Sequence, residues 1–269
     1  MSGDRPRMGV CQTILSNVDM ASDLGIVVDA GLDAMAVSSA LVEATGLDET
    51  RRLMGERGVV ASSYLGGVSV LDMPDDVFDE ALRAGLTRAA ALGAPAVVVV
   101  SGSAGDLSPA AADDRVVARL SRFAPLGEEL GVRMAIETLH PYFHAVSYVH
   151  TLGQAAALAS RVPNCGVALD LVASYWDRDI HDAISQHVDL VTTVHVSNLS
   201  RTALERRSWA RSQLDDGVVP LAGLLRALDA AGYRGFYENE VIGPPLAPDE
   251  CRDALRAAGE WFSAVWDDD

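Results

Sequence analysis

No lysine occurs in this sequence, and the 21 basic residues among its 269 are all arginines. Enzymes that form a Schiff base, including lysine-dependent aldolases and pyridoxal phosphate enzymes, need a lysine amine. Both classes are therefore excluded. The chain also carries 38 acidic residues, which give a formal net charge of -17. Because nucleic-acid binding depends on basic patches that neutralise phosphates, we predict no nucleic-acid partner.

Cysteines and long apolar runs are also scarce. Cys11, Cys165 and Cys251 lie far apart without paired spacing, which favours buried thiols over a disulfide framework or a zinc knuckle. No run of about 18 apolar residues is present, so we predict no membrane span and no membrane partner. The opening segment MSGDRPRMGV lacks the apolar stretch of a signal peptide, which predicts a cytoplasmic location.

Strand-like apolar segments alternate along the chain with amphipathic helical patterns. Eight strand candidates begin at Met8, Ala34, Val59, Ala96, Val132, Gly166, Val191 and Phe236. The helical patterns between them include one that we expect to be a single helix over residues 113–131, ending in glycine. Residues 197–217 show no regular pattern.

Eight such units of about 30 residues predict an α/β fold, a single-domain (β/α)8 TIM barrel over residues 1–269. A doubly wound open sheet is the alternative architecture. That fold favours a glycine-rich phosphate loop after its first strand, and the segment CQTILSN after the first strand candidate is not one. We therefore favour the barrel.

Four of the predicted strands end in side chains that bind metals. The fifth ends at Glu137 and the sixth at Asp170, while His195 and Glu240 lie near the ends of the seventh and eighth. The chemistry of such barrels lies at the carboxyl ends of the strands. Three carboxylates there repel one another unless they are protonated or a cation bridges them. An oxygen-rich set with one imidazole suits Mn²⁺, Mg²⁺ or Co²⁺ and also admits Zn²⁺.

The eighth strand carries two glutamates that point to the same face, because Glu238 and Glu240 are two residues apart. The later residue lies nearer the mouth of the barrel, so we assign Glu240 to the metal. Two roles stay open for Glu238. It either orients a metal ligand or forms a plain buried ion pair.

Five segments in the second half of the chain resemble motifs of the sugar phosphate isomerases and epimerases of the xylose isomerase-like TIM barrel superfamily. They are AIETLHP, LDLVASYWD, VHVSN, RSQLDDG and GYRGFYENEV. The resemblance implies metal ligation by the same four residues that the strand ends indicate. It also implies that Arg201, six residues after His195, reaches the substrate or an acidic partner. The chain departs from the family at Ala173, where histidine is common, and at Ala36, where an acid is common.

Other side chains near the predicted mouth are candidates for substrate binding. His140 follows Glu137 closely and either donates to a substrate oxygen or bonds the loop backbone. Arg201 and Arg211 bound a long loop and either grip an anionic group of the substrate or are merely solvated. Trp176 lies where its indole can cover the apolar face of a sugar.

The sequence therefore predicts an enzyme of carbohydrate metabolism, a divalent-metal-dependent isomerase or epimerase of a sugar, ketose or sugar phosphate. One metal ion, with Mn²⁺ as first choice, stabilises an enediolate while Glu137 or Glu240 transfers the proton. The alternatives are a dehydratase or lyase of a keto-inositol or keto-sugar, a metal-dependent phosphodiesterase resembling the endonucleases of the superfamily, and a carbohydrate-binding barrel without activity. The chain has only six histidines and a strongly negative charge, which disfavours the phosphodiesterase. Homo-oligomerisation is left open.

Overall fold

Eight parallel strands close into a barrel in this computed structural model, which describes residues 6–15, 19–206, 208–243 and 246–267. Two short strands, β8 and β9, lie outside the barrel. The ten strands of the described residues are β1 (Arg7–Cys11), β2 (Ala34–Ser38), β3 (Val60–Ser69), β4 (Ala96–Val100), β5 (Arg133–Glu137), β6 (Cys165–Asp170), β7 (Val191–Val196), β8 (Asn198–Leu199), β9 (Arg211–Ser212) and β10 (Phe236–Asn239). The barrel order is β1-β10-β7-β6-β5-β4-β3-β2. The predicted TIM barrel is confirmed, and the open sheet is excluded.

Helices surround the barrel and also connect its strands. They are α1 (Met20–Asp29), α2 (Ser39–Thr45), α3 (Leu47–Arg57), α4 (Asp75–Leu92), α5 (Pro109–Ser121), α6 (Ala124–Leu130), α7 (Leu152–Ala159), α8 (Leu171–Ser174), α9 (Ile180–His187), α10 (Arg201–Glu205), α11 (Leu221–Ala231) and α12 (Pro248–Ala264). The single helix expected over residues 113–131 is wrong, because α5 ends before α6 begins. Pro125 has no N–H for a continuing helix and instead lies in the first turn of a new one.

The core has two parts, one between the strands and the helices and one inside the barrel. The inner cluster consists of small side chains, Ala96, Val98, Ala135 and Ala168, with Leu65 packed against it. Inward-facing residues alternate along each strand. Ala135 is therefore followed on the inner face by Glu137, and Ala168 by Asp170. The small inner cluster thus lies one step below the carboxylates at the mouth.

The unpatterned stretch after β7 forms a second, antiparallel sheet, in which Asn198 pairs with Ser212 and Leu199 with Arg211. Asn198 organises this stretch. Its amide nitrogen donates to the carbonyl of Leu214 (3.0 Å), and its amide oxygen accepts from the backbone N–H of Val219 (2.8 Å). These hydrogen bonds fix the position of the β8–β9 sheet and of the side chains on it.

Two further expectations concern cysteines and membranes. All three cysteines are free and buried, as predicted. In the part of the chain that the structure describes, no helix combines the length and apolar character needed to cross a bilayer.

Helix α4 provides a test of the outer core. Leu82 is fully buried on its inner face, whereas Val77 on the same helix is 47% exposed. Leu82→Ala leaves a cavity and should lower the free energy of unfolding by about 2–5 kcal/mol. The matched change Val77→Ala should cost less than about 0.5 kcal/mol. Urea unfolding followed by circular dichroism measures both, and equal losses would contradict the packing described for α4.

Candidate functional site

Four neighbouring barrel strands bring ligand side chains to one part of the mouth. Glu137 and Asp170 are the last residues of β5 and β6, as predicted, and His195 is the last but one of β7. Glu240 lies one residue beyond β10, where its backbone N–H donates to the carbonyl of Val196 (2.8 Å). All four side chains are buried. The strand register pairs Asp170 with His195 directly.

Glu137 and Glu240 both approach one nitrogen of His195. The Nδ1 atom lies 3.0 Å from Oε1 of Glu137 and 3.4 Å from Oε2 of Glu240. The ligand atoms of these three residues lie within 4.8 Å of one another. One cation between them can therefore contact all three side chains.

Asp170 is oriented by its surroundings. Its Oδ1 accepts from the backbone N–H groups of Val172 (2.9 Å) and Ala173 (3.2 Å), as the cap of α8. Its own N–H donates to Oγ1 of Thr138 (3.1 Å). The second oxygen, Oδ2, accepts a hydrogen bond from Arg211. Asp170 is therefore connected to the other candidate ligands through the hydrogen bonds of Arg211.

Arg211 reaches into the candidate ligand cluster from β9. Its Nη2 donates to Oδ2 of Asp170 (2.6 Å), and its Nη1 donates to Oε2 of Glu240 (2.9 Å). The Nη1 atom also donates to the carbonyl of Glu240 (3.0 Å) and to Oγ of Ser197 (3.2 Å). With only 6% of its side chain exposed, Arg211 bridges two candidate ligands. Ser197 was not among the residues that the sequence indicated.

Burial and these contacts separate the proton affinities of the carboxylates. Burial raises the pKa of Glu137, although His195 opposes the shift. It also acts to raise the pKa of Glu240, but His195 and Arg211 outweigh it and lower that pKa to about 2. Burial disfavours the charged form of His195, yet Glu240 and its other acidic neighbours hold the pKa of the imidazole well above its usual range.

The site contains more buried acid than base. Its four buried carboxylates belong to Glu137, Asp170, Glu238 and Glu240. Among the described residues, Arg211 and His195 are the basic side chains that contact them. A divalent cation at Nδ1 of His195 would offset the excess charge, and carboxylate oxygens with one imidazole nitrogen are donors that Mn²⁺, Mg²⁺, Co²⁺ and Zn²⁺ accept. The residues therefore fit a divalent ion.

His140 and Trp176 lie together at the rim of the mouth. The imidazole Nδ1 of His140 accepts from the backbone N–H of Tyr142 (3.1 Å), and burial lowers the pKa of this histidine. Its ring lies 4.2 Å from that of Trp209 and 5.9 Å from that of Trp176, centroid to centroid. The Trp176 indole N–H donates to the carbonyl of Ala173 (2.5 Å). The rim is therefore an aromatic cluster, with His140 bonded to its own loop.

Arg201 lies elsewhere. It is the exposed first residue of α10, and none of the ion pairs found among the described residues includes it. The structure does not bring it to the carboxylates, so its contact with substrate stays a prediction.

Two cavities flank Arg211. One of about 320 Å³ is bounded mainly by apolar side chains, Leu139, Phe143, Val146, Trp209 and Ile242. The other, of about 500 Å³, lies between residues 211–216, the segment after β1 and helix α12. Arg211 contributes to the wall of both cavities and also bonds the buried carboxylates of Asp170 and Glu240.

Comparisons with known proteins agree with this architecture. The profile of the xylose isomerase-like TIM barrel family matches residues 24–263. None of the curated proteins matches the sequence significantly. Among solved structures, protein SMc04130 from Sinorhizobium meliloti 1021 is similar, with 26% identity, a TM-score of 0.84, and 96% of this chain and 98% of that chain covered.

Two more distant structures share the fold. The IolI protein with a binding zinc atom is 18% identical, with a TM-score of 0.80 and coverage of 96% of this chain and 99% of that chain. The D-allulose 3-epimerase from Methylomonas sp. in complex with D-allulose is 17% identical, with a TM-score of 0.79 and 98% of each chain covered. A shared fold does not fix the reaction. The profile match spans most of the chain, and this protein therefore belongs to the xylose isomerase-like TIM barrel family.

Proposed function

We propose that the protein is a divalent-metal-dependent isomerase or epimerase of a ketose, free or phosphorylated, that works by proton transfer through an enediolate. The observation that carries this proposal is the pair of buried glutamates, Glu137 and Glu240, that approach the same nitrogen of His195 from non-adjacent strands. Two proteins of the same fold support the proposal, because IolI binds a zinc atom and the D-allulose 3-epimerase binds a sugar.

Glu137, Asp170, His195 and Glu240 would hold the ion, with Mn²⁺ as first choice. When bound, a divalent ion would polarise the substrate carbonyl and make the proton on the neighbouring carbon more acidic. The two glutamates then transfer that proton. Removal by one glutamate and return by the other inverts the carbon, whereas return to the neighbouring carbon moves the carbonyl.

Arg211 has a role that follows from its contacts. It stays positively charged, because Asp170 and Glu240 hold its pKa above the ordinary value despite burial. Its guanidinium bonds both of these carboxylates, and the residue also lines the two cavities. We therefore assign to it the stabilisation of negative charge on the substrate oxygens as the enediolate forms. His140 and Trp176 would contact the substrate from the rim.

A dehydratase of a keto-inositol or keto-sugar is the second candidate, and one observation favours it. The cavity of about 320 Å³ beside Arg211 has mainly apolar walls, and Ala173 offers no polar group where the resemblance leads us to expect a histidine. The apolar face of a ring fits against such walls. The same glutamates would remove the α-proton.

Metal content provides the first test of this function. After reconstitution with Mn²⁺, Co²⁺ or Zn²⁺ and removal of excess ion, wild-type protein should retain about one ion per chain. The double change Glu137→Gln with His195→Asn should abolish retention, because it removes two donors. Glu128→Gln, a change of an exposed glutamate on α6, is the matched control. Inductively coupled plasma mass spectrometry measures all three, and retention by the double variant would rule out this metal site.

Solvent deuterium tests the proton transfer. With ketoses, ketose phosphates and keto-inositols in D₂O, turnover should place deuterium on the carbon next to the carbonyl of the product. Glu137→Gln and Glu240→Gln should each slow this incorporation by at least about 100-fold, the usual contribution of a general acid or base. Mass spectrometry and proton NMR measure both effects.

The same deuterium experiment separates the candidates. A dehydratase would release water and give a product with ultraviolet absorption from an enone or diketone. The proposed chemistry is wrong if substrate turns over without exchange or loss of the α-proton and if Glu137→Gln and Glu240→Gln both keep the full rate.

The arginines provide a further comparison. Arg211→Ala should lower kcat/KM by about 100-fold or more, as the loss of an oxyanion donor does in other enzymes. Arg201→Ala should raise KM without changing kcat if the contact implied by the resemblance exists. Arg178→Ala is the control, since Arg178 is 91% exposed and pairs with the adjacent Asp179. Steady-state kinetics distinguish these outcomes, and a kcat/KM of Arg211→Ala equal to that of Arg178→Ala would refute the role of Arg211.

A further inference from the structure

The second nitrogen of His195 faces a carboxylate that the proposed reaction does not use. Its Nε2 lies 3.1 Å from Oε2 of Glu238, on the side of the ring away from Glu137 and Glu240. The contact is a close ion pair rather than a linear hydrogen bond. It follows from the register of the barrel, because β10 and β7 place Glu238 beside His195. His195 therefore lies between carboxylates on both sides.

Glu238 has few other partners inside the barrel. Its side chain is completely buried. Its Oε2 accepts from Oγ of Ser63 on β3 (3.1 Å), whereas its Oε1 has no hydrogen-bond partner among the described residues. A buried carboxylate without compensation is costly. Since Ser63 is neutral, His195 is the basic side chain that compensates Glu238.

A cation on this inner side of His195 is the less consistent explanation. Cys11, His195 and Glu238 do present ligand atoms within 4.8 Å of one another. His195, however, would have to lose both of its protons to bind an ion on each side. The inner face of the ring is better suited to a protonated nitrogen beside Glu238.

We propose that Glu238 is a positioning residue for the metal centre. A neutral imidazole has one N–H and one lone pair, so a carboxylate at Nε2 keeps the proton there and presents the lone pair of Nδ1 to the ion. The full negative charge also makes the ring a stronger donor. The inference rests on the proposed function, because it requires that an ion binds at Nδ1 of His195.

Cobalt binding by variants at position 238 tests this role. Carboxylates that support ligand histidines typically contribute 10- to 100-fold to metal affinity. Glu238→Ala should therefore raise the Kd for Co²⁺, measured by chelator competition, by about 10- to 100-fold and change the visible absorption of the bound ion. Glu238→Gln should raise the Kd less, because it keeps an oxygen at Nε2 without the charge. If Glu238→Ala does not fold, the Kd of Glu238→Gln for Co²⁺ alone tests the role of Glu238.

Asp23→Asn is the control for the loss of a buried acid. Asp23 is buried on α1, where its Oδ2 accepts from Nε2 of Gln12 (3.1 Å). This variant should keep the wild-type Kd even if its melting temperature falls.

If both Glu238 variants keep the wild-type Kd and absorption spectrum while His195→Asn weakens Co²⁺ binding, the inference about Glu238 is wrong and the proposed metal centre stands. Wild-type protein that binds no Co²⁺, or binding that survives His195→Asn, would overturn the proposed metal centre and the inference with it.

Discussion

Negative charge buried at the mouth of the barrel is the constraint on which the rest of the site depends. Four carboxylates and one imidazole converge where β5, β6, β7 and β10 end. Buried acids are tolerated in proteins when they are protonated, paired with positive groups or bound to cations. The guanidinium of Arg211 and the ring of His195 offset part of the charge. The negative charge that they leave uncompensated makes the mouth of the barrel suited to a divalent ion.

The barrel and the loop above it meet this constraint in different ways. The strands place Glu137, Asp170 and His195 by register, and these positions cannot shift without breaking the barrel. Arg211 instead arrives on a two-residue strand whose position depends on the hydrogen bonds of Asn198. Charge compensation is thereby linked to the segment that borders both cavities. Movement of that segment would change both the charge near the ligands and the space for a substrate.

Part of this arrangement could be predicted from the sequence. Alternation along strands, with the rule that barrel chemistry lies at strand ends, predicted the strand-end positions of Glu137 and Asp170. The contacts of Arg211 could not be predicted, because residues 197–217 have no periodic pattern and β8 and β9 pair only with each other. The contact of Glu238 with Ser63 could not be predicted either, because it joins β10 to β3 across the closed barrel. Pro125 did carry a visible signal for the break between α5 and α6.

A crystal structure of the protein grown with Mn²⁺, with diffraction data collected on both sides of the manganese absorption edge, tests the central claim most directly. We predict one anomalous peak, about 2.0–2.3 Å from Nδ1 of His195 and from carboxylate oxygens of Glu137, Asp170 and Glu240. Glu238 should remain on the far side of the ring, at Nε2. No peak at saturating Mn²⁺, or a peak away from these four side chains, would contradict the account.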